Sequence, residues 1–397
     1  EYPELRFQGF SGAWEKRKLS DISEKVTQKN TNNSFSEVFT NSAERGIISQ
    51  LDFFDKDIAN QKNISGYFIV KNDDFVYNPR ISNLAPVGPI KRNKLGRNGV
   101  MSPLYYIFRT HSISPSFLEY YFEGTQWHYF MYLNGDTGAR ADRFAIKDSV
   151  FSTMPIFITS SSEQIQIGSF FKSLDDLITV NQRKLNALKK LKRAYLQKMF
   201  PKNGVSIPEL RFAGFTTAWE KRKLGDIATF NPVSKIPNRF EYVDLESVVG
   251  TEMVFHRTEL KENAPSRAQR LAVRGDLFFQ TVRPYQKNNY LFDLPDKNYV
   301  FSTGYAQIRP MYSGYFLLAM VQRTEVVNKV LERCTGTSYP AISSKDLSEL
   351  QILIPPSDEQ IKIGSFFKSL DELITVNQRK LDKLKELKKG YLQKMFI

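Results

Sequence analysis

Residues 163–200 read EQIQIGSFFKSLDDLITVNQRKLNALKKLKRAYLQKMF, and residues 359–396 read EQIKIGSFFKSLDELITVNQRKLDKLKELKKGYLQKMF. The two stretches differ at seven of 38 positions, with a constant offset of 196. Self-similarity of this kind indicates an internal duplication. Apolar residues recur in both copies at steps of three and four, which predicts a long amphipathic helix of roughly 55 Å in each.

Both predicted helices have a defined start and a polar interruption near the middle. The pattern S-x-x-Q begins at Ser161 and again at Ser357, and it fits a capping box that would fix where each helix begins. Asn181 and Asn377 interrupt the apolar stripe at equivalent points. If the helices pair antiparallel about a pseudo-twofold axis, we expect these two side chains to hydrogen-bond and set the register.

A second repeat precedes each helix at a distance. Residues 3–22 read PELRFQGFSGAWEKRKLSDI, residues 208–227 read PELRFAGFTTAWEKRKLGDI, and 16 of the 20 positions agree. The second copy follows the first helix after the linker 201–207, which contains Pro and Gly. Symmetry therefore predicts that the first copy docks beside the end of the second helix, near residues 395–397, so that the two termini lie close together.

Two unlike inserts, at about residues 23–160 and 228–356, separate the repeated pieces. Short β-rich runs bounded by turn residues predict strands at 66–70, 74–77, 104–108, 277–280 and 351–354. Helical spacing of apolar residues predicts helices at 116–122 and 315–331. Each insert is therefore predicted to be an α+β domain, and faint correspondences, such as Asp74 with Asp276, indicate one fold that has diverged.

The composition is basic. The chain has 56 Lys and Arg against 42 Asp and Glu, a formal net charge of +14. Such an excess favours a polyanionic partner, most often nucleic acid, although charge that serves only solubility is the plainer alternative. No run of about 18 apolar residues and no signal-peptide pattern occurs, so we expect a cytoplasmic protein without a membrane span. The single cysteine, Cys334, excludes an internal disulfide.

Sequence signatures of catalysis are absent. The chain has no Gly-Lys dipeptide and no G-x-G-x-x-G, so it lacks the two common nucleotide-binding loops. His111, His128 and His256 are scattered without metal-ligand spacing. Pro355 and Pro356 are followed by serine, whereas the catalytic loop of an amino-methyltransferase has an aromatic residue that holds the flipped base. We therefore predict no catalytic residue and no cofactor or metal site.

Three features form one recognisable pattern: the lead-in PELRFxGFxxAWEKRKLxDI, the helix entry IPPSDEQIKIGSFFKSLDELI, and two near-identical helices that alternate with two unlike inserts. This pattern resembles the DNA-specificity subunit of type I restriction-modification systems over essentially the whole chain. The resemblance implies an α+β fold with target recognition domains at residues 1–160 and 208–356. Spacer helices at 161–200 and 357–397 would form an antiparallel coiled coil, and each domain would read one half of a bipartite, asymmetric site on double-stranded DNA.

The same resemblance assigns the catalytic chemistry to partner subunits. Two modification subunits would dock on the helices, bind S-adenosylmethionine and methylate adenine N6. Two restriction subunits would supply translocation and cleavage that depend on ATP and Mg. The chain itself would be a non-catalytic reader without a cofactor.

Base readout requires Arg, Lys, Asn or Gln on loops that reach a groove edge. The candidates occupy equivalent places in the two inserts, and the alternative for each is an ordinary solvated loop. In the first insert they are Tyr77, Asn78, Arg80, Lys91, Arg92, Lys94 and Arg97, with Arg140 and Arg143 after Thr137. In the second they are Gln280, Thr281, Arg283, Tyr285, Gln286, Lys287 and Asn288, with Thr337, Ser338 and Tyr339 after Thr335.

Residues 181–199 of the first helix carry seven Lys and Arg and no acid. Three interpretations stay open: a solvated face, a contact to DNA backbone over the unread spacer, or a contact to an acidic surface of a modification subunit. The principal alternative for the whole chain is a stand-alone two-domain DNA-binding regulator. An enzyme with an unrecognised motif and an interaction scaffold without DNA are the other two.

Overall fold

A computed structural model describes residues 1–53, 64–137, 142–202, 204–296 and 298–397. The chain forms two compact units. Unit 1 consists of Glu1–Gln182 with Lys380–Ile397, and unit 2 is Arg183–Arg379. Each unit therefore contains one insert and a part of each long helix. The predicted domain boundaries rest on sequence repeats, whereas these units are defined by contacts within the fold. The predicted boundaries therefore stay a prediction.

The two long helices span Ser161–Lys198 and Ser357–Lys394, as the apolar periodicity predicts. Their buried faces include Phe171 and Leu185 in the first helix and Phe367 in the second. Burial of such side chains against the inserts stabilises a helix far more than intrinsic propensity does. Within the described ranges, no helix is long and apolar enough to cross a membrane.

The start of each long helix differs in one detail from the predicted capping box. Ser161 is the first helical residue, and the cap position belongs to Ser160, whose hydroxyl accepts from the Glu163 amide at 3.4 Å. The Gln164 side chain donates to the Thr159 carbonyl at 2.7 Å. In the second helix the cap position is Pro356. The Gln360 side chain, equivalent to that of Gln164, donates to the Pro355 carbonyl. The predicted start is confirmed, but the predicted box geometry is wrong.

Unit 1 is built on a four-stranded antiparallel sheet in the order β2-β9-β6-β7. Its strands are β1 (Glu15–Lys18), β2 (Ser23–Lys25), β3 (Phe39–Ser42), β4 (Gly46–Ser49), β5 (Phe68–Val70), β6 (Phe75–Tyr77), β7 (Ile90–Arg92), β8 (Gly99–Met101), β9 (Tyr106–Thr110) and β10 (Pro155–Ile158). Its short helices are Leu19–Ile22, Gln50–Phe53, Pro115–Glu123, Gln126–Asn134 and Asp148–Phe151. The pairs β1-β10, β3-β4 and β5-β8 complete the unit, so the predicted α+β class is confirmed.

Unit 2 repeats this frame with the sheet order β12-β21-β18-β19 and the pair β11-β22. Its strands are β11 (Glu220–Lys223), β12 (Ala228–Phe230), β13 (Arg239–Val243), β14 (Val248–Val249), β15 (Glu252–Met253), β16 (Arg257–Leu260), β17 (Ala268–Leu271), β18 (Leu277–Gln280), β19 (Tyr290–Leu291), β20 (Tyr299–Ser302), β21 (Tyr305–Pro310) and β22 (Gln351–Ile354). Its short helices are Gly314–Val321, Thr324–Leu331 and Ser344–Ser348, with 3₁₀ turns at Leu224–Asp226 and Pro284–Gln286. A second sheet, β16-β13-β20-β17, is present in this unit.

The lead-in repeat docks at a helix end in both units. In unit 1 the Leu5 amide donates to the Lys394 carbonyl at 2.8 Å, and Trp14 packs against Phe396 with ring centroids 6.3 Å apart. In unit 2 the Leu210 amide donates to the Lys198 carbonyl, also at 2.8 Å. The prediction that the first repeat lies beside the end of the second long helix is confirmed.

Segments of the two long helices pack antiparallel inside each unit. In unit 1 the rings of Phe170 and Tyr391 lie 5.1 Å apart, and Asp175 pairs with Lys388 at 2.6 Å. Residue numbers rise from 170 to 175 along the first helix and fall from 391 to 388 along the second helix beside it, so the two segments run in opposite directions. Unit 2 shows the same direction, with a ring contact of 4.9 Å between Tyr195 and Phe366 and an ion pair between Lys192 and Asp371. The supercoiling of a coiled coil stays a prediction.

The two central asparagines are buried, each with 5% of its surface exposed. Asn181 Nδ2 donates to the Leu177 carbonyl at 2.7 Å, and Asn377 Nδ2 makes the same bond to Leu373. Each amide is thus bonded to its own helix, four residues back. The hydrogen bond between Asn181 and Asn377 that would set the register stays a prediction.

The predicted single helix at 315–331 is two helices, and this prediction is wrong. The break falls at Gln322 and Arg323: Gln322 is still helical, and the backbone is extended at Arg323. Lys287 Nζ donates to the Gln322 carbonyl at 3.0 Å and accounts for one of the backbone groups that the break frees. No Pro or Gly marks this position in the sequence, and the residue that bonds the freed carbonyl lies 35 positions away along the chain.

Candidate nucleic-acid interface

Two loops meet in unit 1 after β6. The Ile81 amide donates to the Asp142 carbonyl at 3.1 Å, and the Phe144 amide donates to the Pro79 carbonyl at 2.7 Å. The loop that carries Asn78 and Arg80 is therefore bonded to the segment that carries Arg143. The sequence placed these residues in two separate candidate stretches, and the structure brings the two together.

The equivalent loops meet in unit 2 after β18. The Arg283 amide donates to the Pro340 carbonyl at 2.7 Å, and the Ile342 amide donates to the Thr281 carbonyl at 3.0 Å. The bridge between Thr335 and Ala341 closes the second loop on itself. One arrangement of two loops is thus repeated on the same sheet frame in both units.

In unit 1 the paired loops border a cavity of about 480 Å³. Arg80 and Arg143 are exposed and line it, together with Thr40, Ser42 and Tyr105. The hydroxyls of Tyr105 and Thr40 lie 3.1 Å apart. Sequence reasoning missed the lining residues of the β3-β4 hairpin, because they lie about forty positions before the loops and belong to no recognisable motif.

In unit 2 the paired loops carry a cation stacked on a ring. The Arg283 guanidinium lies 4.3 Å from the centroid of Tyr339, which is exposed together with Tyr285, Thr337 and Ser338. Arg283 has φ 55° and Lys287 φ 58°, a left-handed conformation that costs a non-glycine residue on the order of 1 kcal/mol or more. Strain of this kind clusters at ligand-binding sites, so it supports a functional loop.

Three predicted DNA-contacting residues are core residues instead. The Tyr77 ring stacks on Phe151 at 4.8 Å, and its hydroxyl donates to the Val87 carbonyl at 2.9 Å. Gln280 and Thr281 are also buried, and the Thr281 hydroxyl donates to the Gly304 carbonyl. Their inclusion in the DNA-contacting set is corrected, because β6 and β18 are covered on both faces at this point and leave no side chain facing solvent.

The basic residues after β7 are tied to neighbouring elements. Arg92 pairs with Glu119 of the helix Pro115–Glu123 at 2.7 Å, and Lys94 pairs with the same carboxylate. Arg97 bonds Glu37 through two nitrogens, which raises the pKa of the guanidinium. Lys91 lies half-buried in β7 itself. These pairs hold the fold, so a DNA role for these residues stays a prediction.

The remaining candidates of unit 2 are partly engaged as well. Lys287 donates to the Gln322 carbonyl and the Thr324 hydroxyl, Asn288 accepts from the Gly250 amide, and Gln286 accepts from Gln280. Their bonds shape the turn that presents Arg283 and Tyr285. In unit 1, Arg140 lies outside the described residues.

The core assignment of Tyr77 leads to a test. Tyr77→Phe is expected to lower the stability of the protein by about 1–3 kcal/mol, because the buried Val87 carbonyl loses its donor, while DNA sequence preference stays unchanged. Urea unfolding and a binding assay on randomised duplexes measure the two effects. The matched control is Tyr339→Phe, an exposed tyrosine, for which no stability change is expected. An altered base preference in Tyr77→Phe would return this residue to the DNA-contacting set.

The family model for the type I restriction modification DNA specificity domain matches residues 217–386. Both sequence repeats place an equivalent of this segment in the first half of the chain, and the two units share one sheet order. Residues 217–386 therefore carry the signature of a type I restriction modification DNA specificity domain.

Curated proteins similar to this chain include two subunits named for specificity. The type I restriction enzyme HindI specificity subunit of Haemophilus influenzae is 25% identical over 45% of this chain, and the match covers 41% of that subunit. The type I restriction enzyme MjaIX specificity subunit of Methanocaldococcus jannaschii is 22% identical over 77% of this chain and 70% of its own length.

Solved structures share the fold over almost the whole length of this chain. A crystal structure of a type I restriction-modification system S subunit from M. genitalium aligns with a TM-score of 0.63 at 14% identity and covers 100% of this chain and 99% of its own. A second, from a study of complex assembly and conformational transition of the type I R-M system, has a TM-score of 0.54 at 15% identity, with 97% and 98% coverage.

Proposed function

We propose that the chain is the DNA-specificity subunit of a type I restriction-modification complex, in which each unit reads one half of a bipartite site. The supporting observation is the repetition of one loop pair on one sheet frame, with Arg80 and Arg143 in unit 1 and Arg283 and Tyr339 in unit 2. A common frame with different side chains suits two unlike half-sites on one duplex, because base contacts rather than backbone contacts carry sequence information.

The side chains on the loops have the chemistry for this task. An exposed arginine can bond guanine O6 and N7 through two nitrogens in the major groove, or a phosphate through the same fork. The Arg283 guanidinium lies against the Tyr339 ring before DNA is bound, so less side-chain freedom is lost when a base is bound. The net charge of +14 adds a sequence-independent attraction to the duplex.

The basic run of the first long helix is partly engaged within unit 2. Lys192 pairs with Asp371, Lys189 donates to Gln378, and Lys198 pairs with Glu209. The other cations of the run are exposed: Arg183, Lys184, Lys190 and Arg193. We assign these four to DNA backbone over the spacer or to an acidic surface of a modification subunit.

Exposed apolar residues recur at equivalent positions of the two long helices. The pairs are Ile165 and Ile361, Leu177 and Leu373, Val180 and Val376, and Leu191 and Leu387. Large exposed apolar side chains in a group mark interaction surfaces, and a surface that occurs twice suits two copies of one partner. We propose two modification subunits, which would hold S-adenosylmethionine and methylate adenine, as these partners, and restriction subunits that use ATP and Mg in the larger assembly.

Methylome sequencing tests this function directly. The chain is expressed with its methyltransferase partner in a host without modification systems, and N6-methyladenine is mapped by long-read sequencing. We expect one bipartite motif with unlike halves and a gap of constant length. The methyltransferase expressed alone is the control, and it is expected to modify no motif.

Two outcomes would contradict the proposal. Absence of any modified motif in the presence of both proteins would reject the specificity role. Tight, sequence-specific binding by the isolated chain, with no methylation when the partner is added, would favour a stand-alone DNA-binding regulator instead.

A further inference from the structure

A cavity of about 350 Å³ lies in unit 2 beside the linker that follows the first long helix. Its walls come from that linker, the pair β11-β22 and the junction between the helices Gly314–Val321 and Thr324–Leu331. It is separate from the loops that carry Arg283 and Tyr339. Its volume is at the lower end of the range of small-molecule sites, which is roughly 300–1,000 Å³.

The charged residues that line the cavity are mainly cations. Lys202, Lys221, Arg323 and Lys329 face it, against the single carboxylate of Glu325. Met320, Val326 and Leu353 add an apolar part of the wall. An excess of positive charge around a concave site favours an anionic ligand, because it raises the local concentration of negatively charged groups.

Arg323 is the decisive side chain, because only 9% of its side chain is exposed. Its Nη2 donates to the Pro201 carbonyl at 3.0 Å, and its guanidinium lies 4.9 Å from the centroid of the Phe200 ring. Its Nε has no hydrogen-bond partner among the described residues. Glu325 lies 3.6 Å away and is itself partly exposed, so it compensates the buried charge only in part.

A buried guanidinium with incomplete compensation is costly, and burial lowers the pKa of Arg323 accordingly. An anion in the cavity would remove this cost. The start of the eight-residue helix Thr324–Leu331 adds a partial positive charge at the same place, since Arg323 is its cap residue. Unit 1 has Thr125 at the equivalent cap position, so the buried charge is particular to unit 2.

We propose that this cavity binds a phosphate group through Arg323 and the surrounding lysines. A small phosphorylated molecule or the DNA backbone could carry that group. The apolar wall at Met320 and Val326 would receive the organic part of a small ligand. Lys287 of the DNA-contacting loop bonds the residues on both sides of Arg323, so the occupied cavity would adjoin the reader of the second half-site.

Isothermal titration calorimetry on the full chain tests the proposal with three probes: inorganic phosphate, a nucleoside 5′-monophosphate and a short DNA duplex. Saturable binding of either small probe identifies a small phosphorylated ligand. Binding of the duplex alone, weakened equally for all sequences by substitutions in the cavity, identifies the DNA backbone. Arg323→Gln is expected to weaken binding about tenfold or more, because it removes a charge-assisted contact.

Lys329→Gln is an independent variant, because Lys329 is exposed and its substitution is expected to leave the fold intact. We expect this variant to bind the phosphate-containing probes severalfold more weakly. The matched control is Arg333→Gln, an exposed arginine outside the cavity wall, with affinity as in the unchanged protein. Failure of all three probes to bind would overturn the proposal. Equal affinity of the unchanged protein, Arg323→Gln and Lys329→Gln would also overturn it.

Discussion

Arg211→Ala is expected to lower the free energy of unfolding by about 3–5 kcal/mol and the melting temperature by on the order of 10 °C. Glu359, near the start of the second long helix, has a fully buried carboxylate with 0% exposure, and Arg211 bonds both of its oxygens at 2.6 Å. Removal of the arginine leaves this carboxylate buried and unpaired. Differential scanning calorimetry and urea unfolding measure the loss.

The chain supplies its own controls for this prediction. Arg222 pairs with Glu220 at the same distance but in solvent, so Arg222→Ala is expected to cost at most about 1 kcal/mol. The double variant Arg211→Met with Glu359→Met is expected to recover most of the loss, because no buried charge then remains. A melting temperature of Arg211→Ala equal to that of Arg222→Ala would contradict the assigned role of the pair.

Arg283→Ala is expected to weaken recognition of one half-site by about 1–3 kcal/mol, or roughly 5- to 150-fold, and to leave the other half-site unchanged. The reason is the contact with Tyr339, whose ring lies 4.3 Å from the guanidinium and restricts its motion, so that less side-chain freedom is lost if Arg283 binds a base through two nitrogens. Selection of bound duplexes from a library randomised in both half-sites, with the methyltransferase partner present, measures the preference at each position.

Arg80→Ala is the matched variant in unit 1 and is expected to affect the opposite half-site. A uniform loss on all sequences would make either arginine a phosphate contact, and no change would exclude it from the interface. If both variants altered the same half-site, the assignment of one half-site to each unit would be wrong.

The long helices and the repeated frame were predictable because their signals are local. Apolar residues at steps of three and four specify a helix wherever its partner lies, and near-identity at a constant offset requires two similar local structures. The pairing of Arg6 with Glu163 in unit 1 repeats that of Arg211 with Glu359 in unit 2, as the repeats require. The strand at 277–280 was likewise found with its correct bounds.

The orientation of residues at the ends of the strands was not predictable in this way. Alternation along a strand distinguishes a buried face from a solvated one only where one face is open. β6 and β18 are buried on both faces, so Tyr77 and Gln280 are core residues although they adjoin the exposed loops. Likewise, no pattern of neighbouring residues in the sequence indicates that Arg323 is buried in a cavity wall.

The sequence by itself determined the duplication, the two long helices with their starts, and a shared α+β frame for two unlike inserts. Tertiary structure alone decided which candidates face solvent, where the helix at 314–331 breaks, and that the loop of Arg80 is bonded to the segment of Arg143. The physical reason is distance along the chain. Periodicity and repetition are carried by neighbouring residues, whereas exposure and loop pairing arise from contacts between segments about sixty positions apart.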